Sequence, residues 1–289
     1  MSAAGGRCPV TLPRLAEKKR RGEPIVMVTA YDLPSAQVAE AASVDLVLAG
    51  DTAAMTVLGY PATNRVTLDE MLGLTKAVRR GLRTPLLVGD LPCGSYERSH
   101  EQAVASALRL VKEAGCGVVK FEGPAPARAR AIVSAGIPVM GHLGLTPQTT
   151  TALGGGFKTQ ARSASAARKL LEDASGLEAA GCFALVLEAV PAEVAAAVTE
   201  RLEVPTIGIG AGPATDGQVL VLNDLLGIFD DFKPRFVKRY AHLRRDMVAA
   251  VSAFAHDVRS RRFPPDEHCY AMPPDERESF LASLCRTEP

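Results

Sequence analysis

The chain has 289 residues, 47% of them hydrophobic, with 33 Lys and Arg against 32 Asp and Glu for a formal net charge of +1. That balance describes a globular protein with a deep core and lacks the basic excess of a nucleic-acid binder, so no nucleic-acid partner is expected. Residues 1–24 run through Arg, Lys and Glu without an apolar signal core, and no stretch approaches the roughly 20 apolar residues of a bilayer span; a cytoplasmic location with no membrane partner is the expectation. The six cysteines are scattered, without a Cys-x-x-Cys pair or a His at zinc-ligand spacing, which argues against structural zinc and a disulfide framework.

Along the chain, short β-branched runs alternate with helical patterns, as in βαβ units around a parallel sheet. The predicted strands are 25–29, 45–49, 85–89, 117–122, 137–142, 184–188, 205–209 and 219–222. Near-continuous apolar runs such as Leu46-Val47-Leu48 and Leu185-Val186-Leu187 fit strands covered on both faces. Between them, Pro34 and Pro191 suit first helical turns, Thr67-x-x-Glu70 and Ser99-x-x-Gln102 read as capping boxes, and Gly81, Gly115 and Gly181 fit helix ends. Eight such units predict a single-domain (β/α)8 TIM barrel, with a doubly wound open sheet as the alternative. The last helical pattern, Phe236, Tyr240, Leu243, Met247, Val251 and Phe254, is expected to complete the outer ring. The barrel with a short N-terminal extension is assigned to 1–270, and the Pro-rich 271–289 reads as a loosely held tail.

A parallel barrel meets its substrate at the C-terminal ends of its strands. Polar residues recur there: Asp51-Thr52 after the second strand, Asp90 after the third, Lys120 and Glu122 on the fourth, His142 on the fifth and Glu188 on the sixth. Asp51, Asp90 and Glu122 come from successive strands, and three crowded carboxylates suit a hard divalent cation, Mg²⁺ being favoured by an all-oxygen donor set. Two residues from Glu122 on one strand, Lys120 shares its side and either neutralises an anionic substrate or forms a structural ion pair. His142, between Gly141 and Leu143-Gly144, is a ligand-contacting or hydrogen-bonded structural group. Glu188, in an apolar run, is expected to have a raised pKa suited to a general base, or else to mark entry to a helix ahead of Pro191. The Gly208-Ile209-Gly210-Ala211-Gly212 run suggests a phosphate cradle only weakly, with tight packing as its default, and Lys18-Lys19-Arg20-Arg21 reads as a solvated face or turn.

Taken together, Gly50-Asp51-Thr52-Ala53-Ala54-Met55, Asp90-Leu91-Pro92, Val119-Lys120-Phe121-Glu122-Gly123, 141–148, Leu187-Glu188, 205–212 and Thr215-Asp216-Gly217-Gln218 resemble the ketopantoate hydroxymethyltransferase family, in that order. The resemblance implies a Mg²⁺-dependent barrel that takes a one-carbon unit from 5,10-methylenetetrahydrofolate to 3-methyl-2-oxobutanoate. Small-molecule 2-oxoacid and folate partners and a homo-oligomer, typically a decamer, are implied as well. It also implies that Asp51 and Asp90 are metal-site and substrate-site residues with Glu122 beside them, that Thr52, Lys120 and His142 contact the oxoacid, and that Glu188 accepts the proton. Thr52 stands where the family often has Ser, Ala53-Ala54 where it has Leu-Gly, and Asn223 where some members carry His. A second reading, an enzyme of the phosphoenolpyruvate mutase and isocitrate lyase type, would want a catalytic Cys in a loop, for which Cys93 lacks the surrounding pattern.

Overall fold

The computed structural model describes residues 8–149, 158–230 and 234–284. Eight parallel strands close on themselves in sequence order: β1 (Ile25–Thr29), β2 (Leu46–Ala49), β3 (Leu86–Asp90), β4 (Val118–Lys120), β5 (Val139–Gly144), β6 (Ala184–Glu188), β7 (Thr206–Ile209) and β8 (Gly217–Leu220). Closure is made by β8 against β1, with Ile25 opposite Gly217 and Met27 opposite Val219. Each strand lies within about two residues of its expected position. The largest shifts, two residues, are in β5 and β8; β8 starts at Gly217 because that residue pairs with both Ile25 and Ile207.

Alternation along the strands divides two cores. Met27, Leu46, Leu48, Val88, Val118, Met140, Val186 and Ile207 pack together inside the barrel. Their neighbours Val28, Val47, Leu87, Val119, Val139 and Leu185 join the cluster beneath the helices, as the two-residue period of a strand requires.

The helices follow the strands. α1 (Leu12–Arg20) precedes β1; α2 (Leu33–Ala41), α3 (Ala53–Thr56), α4 (Leu68–Gly81), α5 (His100–Ala114), α6 (Pro126–Ser134), α7 (Ala164–Ala179) and α8 (Ala192–Arg201) lie between strands. Thr67 and Glu70 form the full capping box. Ser99 caps Gln102 N, but the Gln102 side chain turns to Arg98 N and Gly94 O. α1 closes the N-terminal end: Leu15 belongs to the interior cluster, and the basic run divides. Lys18 and Lys19 ion-pair with Asp45 and Asp216 at 2.6 and 2.8 Å, while Arg20 and Arg21 stay exposed beside Glu17.

After β8 comes a helix of four residues, α9 (Leu222–Leu225). The chain divides into two compact units, Met1–Ala241 and His242–Pro289, earlier than the expected boundary at 270. The pattern expected to complete the outer ring falls largely in α10 (Leu243–Arg259) of the second unit, which has no buried residue. Within the stretch expected to be a loose tail, Pro274–Leu284 forms α11.

Candidate active site

The inward parity of the strands continues upward from the apolar interior. Above Val88 comes Asp90, above Val118 come Lys120 and Glu122, above Met140 comes His142, and above Val186 comes Glu188. Asp51 and Thr52 enter from the turn after β2. All seven sequence-selected residues line one cavity at this end of the barrel.

Hydrogen bonds tie the groups together. Lys120 Nζ donates to Asp90 Oδ1 at 2.6 Å, and Asp51 N donates to Asp90 Oδ2 at 3.1 Å. Gln148, which sequence reasoning did not select, bridges the carboxylates: its Nε2 donates to Asp51 Oδ2 at 2.8 Å and its backbone N to Glu122 Oε2 at 3.0 Å. Tyr96 Oη donates in turn to Gln148 Oε1 at 2.7 Å, and Tyr31 Oη pairs with Thr52 Oγ1 at 2.7 Å. The signal for Gln148 was its place in a Pro-led turn inside the Gly141 to Gln148 segment. His142 lies between two carboxylates, Nδ1 3.4 Å from Glu122 Oε1 and Nε2 3.2 Å from Glu188 Oε2, with neither aligned for a hydrogen bond.

Burial opposes every charge here, and the neighbours decide the outcome. Burial first, then Asp90 and Glu122, hold Asp51 well above the ordinary carboxylate range. Burial also raises Asp90, although Lys120 pulls against it. For Lys120, burial is outweighed by Asp90, Glu122 and Asp51, which keep the ammonium charged. His142 follows the same pattern: burial pulls it down, but Glu122 and Glu188 carry it up to about 9. Glu122 is lowered despite burial, by His142, Lys120 and Gln148 N. The surroundings of Glu188 are therefore not the purely apolar ones expected from its sequence run, because the parallel pairing of β5 with β6 sets His142 beside it. Gly144 makes that approach possible, with φ +96° and Glu188 O at 2.2 Å from where a Cβ would stand.

Among the described residues no three His, Cys, Asp or Glu side chains are disposed together as a ready metal cage. The Glu122 carboxylate accepts from Gln148 N and lies beside His142, and Asp51 and Asp90 adjoin through the Asp51 N–H. Two buried carboxylates with excess negative charge around them suit a hard cation that keeps water or substrate oxygens in its other positions. The Gly208 to Gly212 run is packing, since a Cβ on Gly212 would meet Ala192 Cβ at 2.4 Å. Burial and Glu97 push the Cys93 thiol up, the opposite of the lowered pKa that activates a nucleophilic thiolate.

The chain matches the family described as Ketopantoate hydroxymethyltransferase over residues 9–266. It is 54% identical over 270 residues to the 3-methyl-2-oxobutanoate hydroxymethyltransferase of Oleidesulfovibrio alaskensis, covering 92% of each chain. Identity to the enzyme of the same name from Moorella thermoacetica is also 54%, over 91% of this chain and 98% of the other. Among solved structures, phosphonopyruvate hydrolase in complex with oxalate and Mg²⁺ superposes with a TM-score of 0.58 at 14% identity, over 96% of this chain and 98% of that one; this likeness concerns the fold. No helix of the described residues is long and apolar enough to cross a membrane.

Proposed function

The chain belongs to the ketopantoate hydroxymethyltransferase family and is an enzyme of that class; we propose that it converts 3-methyl-2-oxobutanoate to 2-dehydropantoate with 5,10-methylenetetrahydrofolate as donor and Mg²⁺ at Asp51 and Asp90. The observation that carries this reading is the single cavity in which those aspartates, Lys120, Glu122, His142 and Glu188 meet.

Asp51 and Asp90 would hold the ion, with Glu122 beside them anchoring Gln148, whose amide keeps Asp51 in place. When bound, Mg²⁺ supplies a Lewis acid for the negative charge that develops on the keto oxygen. Lys120 and the Thr52 hydroxyl face the anionic oxoacid, Lys120 as a permanently charged, preorganised cation. Glu188 removes the proton from C3. His142, 3.2 Å from Glu188 Oε2 and charged at neutral pH, steadies that carboxylate and borders the oxoacid. The deprotonated carbon forms the new bond to the donated carbon. Balance requires one water, whose oxygen becomes the new hydroxyl, and releases tetrahydrofolate.

The test is proton exchange at C3 of 3-methyl-2-oxobutanoate in heavy water with Mg²⁺, followed by nuclear magnetic resonance. Glu188→Gln is expected to slow exchange at least about 100-fold, the ordinary contribution of a positioned base, while calorimetry still records oxoacid binding. Exchange at the wild-type rate in that variant rejects Glu188 as the base.

A further inference from the structure

A second cavity adjoins the charged one and shares Thr52, Pro147, Glu188, Ile209 and Val221 with it. Beyond that common wall it is apolar, formed by Met55, Phe229, Pro234 and Phe236. Three polar residues interrupt the apolar lining, and one of them, Thr56, already donates its hydroxyl to Thr52 O at 3.1 Å. Thr63 is 2% exposed, and its Oγ1 has no hydrogen-bond partner among the described residues. Asp224, in α9, is half-buried, and none of the described hydrogen bonds reaches its carboxylate. Burial pushes its carboxyl up to about 6 although Arg239 pulls the other way, as happens when a carboxylate loses water without gaining donors.

An apolar cavity with one carboxylate and one orphan hydroxyl suits a largely apolar ligand carrying adjacent N–H donors on one edge. The 2-aminopyrimidinone edge of a pterin has that form: a ring N–H and an exocyclic amino group point the same way, and a carboxylate accepts from both in parallel. We propose that this cavity seats the reduced pterin ring of the one-carbon donor, with Asp224 accepting from its aminopyrimidinone edge and Met55, Phe229 and Phe236 covering its flat surface. The assignment rests on the hydroxymethyl-transfer reading and gives it a donor subsite. Because Glu188 belongs to both cavities, the carbon to be transferred arrives at the common wall, next to the carbon that Glu188 deprotonates.

Two assays on the full chain separate this assignment from the reading beneath it. Exchange at C3 in heavy water needs no donor and reports the charged cavity alone; transfer needs both cavities. Asp224→Asn is expected to raise the KM for 5,10-methylenetetrahydrofolate at least about tenfold, the loss expected when hydrogen bonds to a charged acceptor go, while exchange continues. In the unaltered protein, 6-methyltetrahydropterin, which lacks the aminobenzoylglutamate arm, is expected to compete with the donor. No exchange in the wild type would overturn the hydroxymethyl-transfer reading. Exchange in the wild type together with an unchanged donor KM in Asp224→Asn would overturn the pterin subsite alone. So would a change in oxoacid affinity without one in donor KM, which would assign the cavity to the oxoacid's branched end. Should Asp224→Asn lose exchange as well, the competition decides: inhibition by the pterin supports the subsite and its absence rejects it.

Discussion

Burial raises the Asp224 carboxyl from 3.8 to about 6, so the folded chain holds this proton more tightly than the unfolded chain. The group's stabilising contribution is therefore complete below pH 3.8 and is lost as the pH rises through about 6. Asn has nearly the same shape and does not ionise. Asp224→Asn is therefore expected to melt higher than the wild type above pH 6, with the gap opening between about pH 4 and pH 6 and then holding level. Calorimetry across that range checks it, and a gap independent of pH would reject burial as the cause of the shift. At this scale the sequence was legible wherever a charged residue stood at the end of an apolar strand, since Asp90, Lys120, Glu122, His142 and Glu188 each break a run that belongs in dry core. Gln148 and Tyr96 escaped because neither lies on a strand. Gln148 meets Asp51 from 97 residues away and Tyr96 from 52, and no periodicity reports a pairing between loops. Glu188 was selected, but for an apolar setting; the imidazole 3.2 Å from it comes from β5, which only strand pairing supplies.

Among the elements, α1 is the one whose role the sequence concealed. Its basic end looks like any solvated turn, because a charge run carries no mark of what its partners are. In the fold, Asp216 Oδ2 accepts from Lys19 Nζ at 2.8 Å, Thr206 N at 2.8 Å and Thr206 Oγ1 at 3.0 Å, joining α1, β7 and the approach to β8. Removing that carboxylate leaves the partly buried Lys19 ammonium with only the Thr199 carbonyl, at 2.9 Å, and no counter-charge, and leaves Thr206 N without its acceptor. Asp216→Ala is thus expected to cost about 2–4 kcal/mol, whereas Arg20→Ala, whose exposed pairing with Glu17 is screened, should change stability by less than about 0.5 kcal/mol. Urea denaturation of the two variants measures the difference. Equal midpoints would mean that α1 does not seal the barrel floor. The strand and cap signals fared better because they are local: a Thr-x-x-Glu box needs only its own turn, and that at Thr67 forms in full.

At the scale of the molecule, eight βα units were countable in the sequence, but closure depends on β8 finding β1, and this happens entirely within Met1–Ala241. The helical pattern near residue 250 was legible as amphipathic and illegible in its destination, for periodicity says that a face is apolar without saying what covers it. In α10, Met247, Val248, Val251, Phe254 and Val258 are between 45% and 66% exposed and follow one helical face. A continuous apolar face of this kind is suited to a protein contact, and self-association of the chain is the contact that can be tested directly. Light scattering on the purified protein is expected to give a mass that is a multiple of the 30.5 kDa chain. Val251→Asp combined with Phe254→Asp should lower that mass, because two carboxylates buried at a subunit contact would each lose their hydration without an opposing charge. A wild-type mass of 30.5 kDa would reject self-association, and an undiminished mass in the double variant would move the contact away from α10.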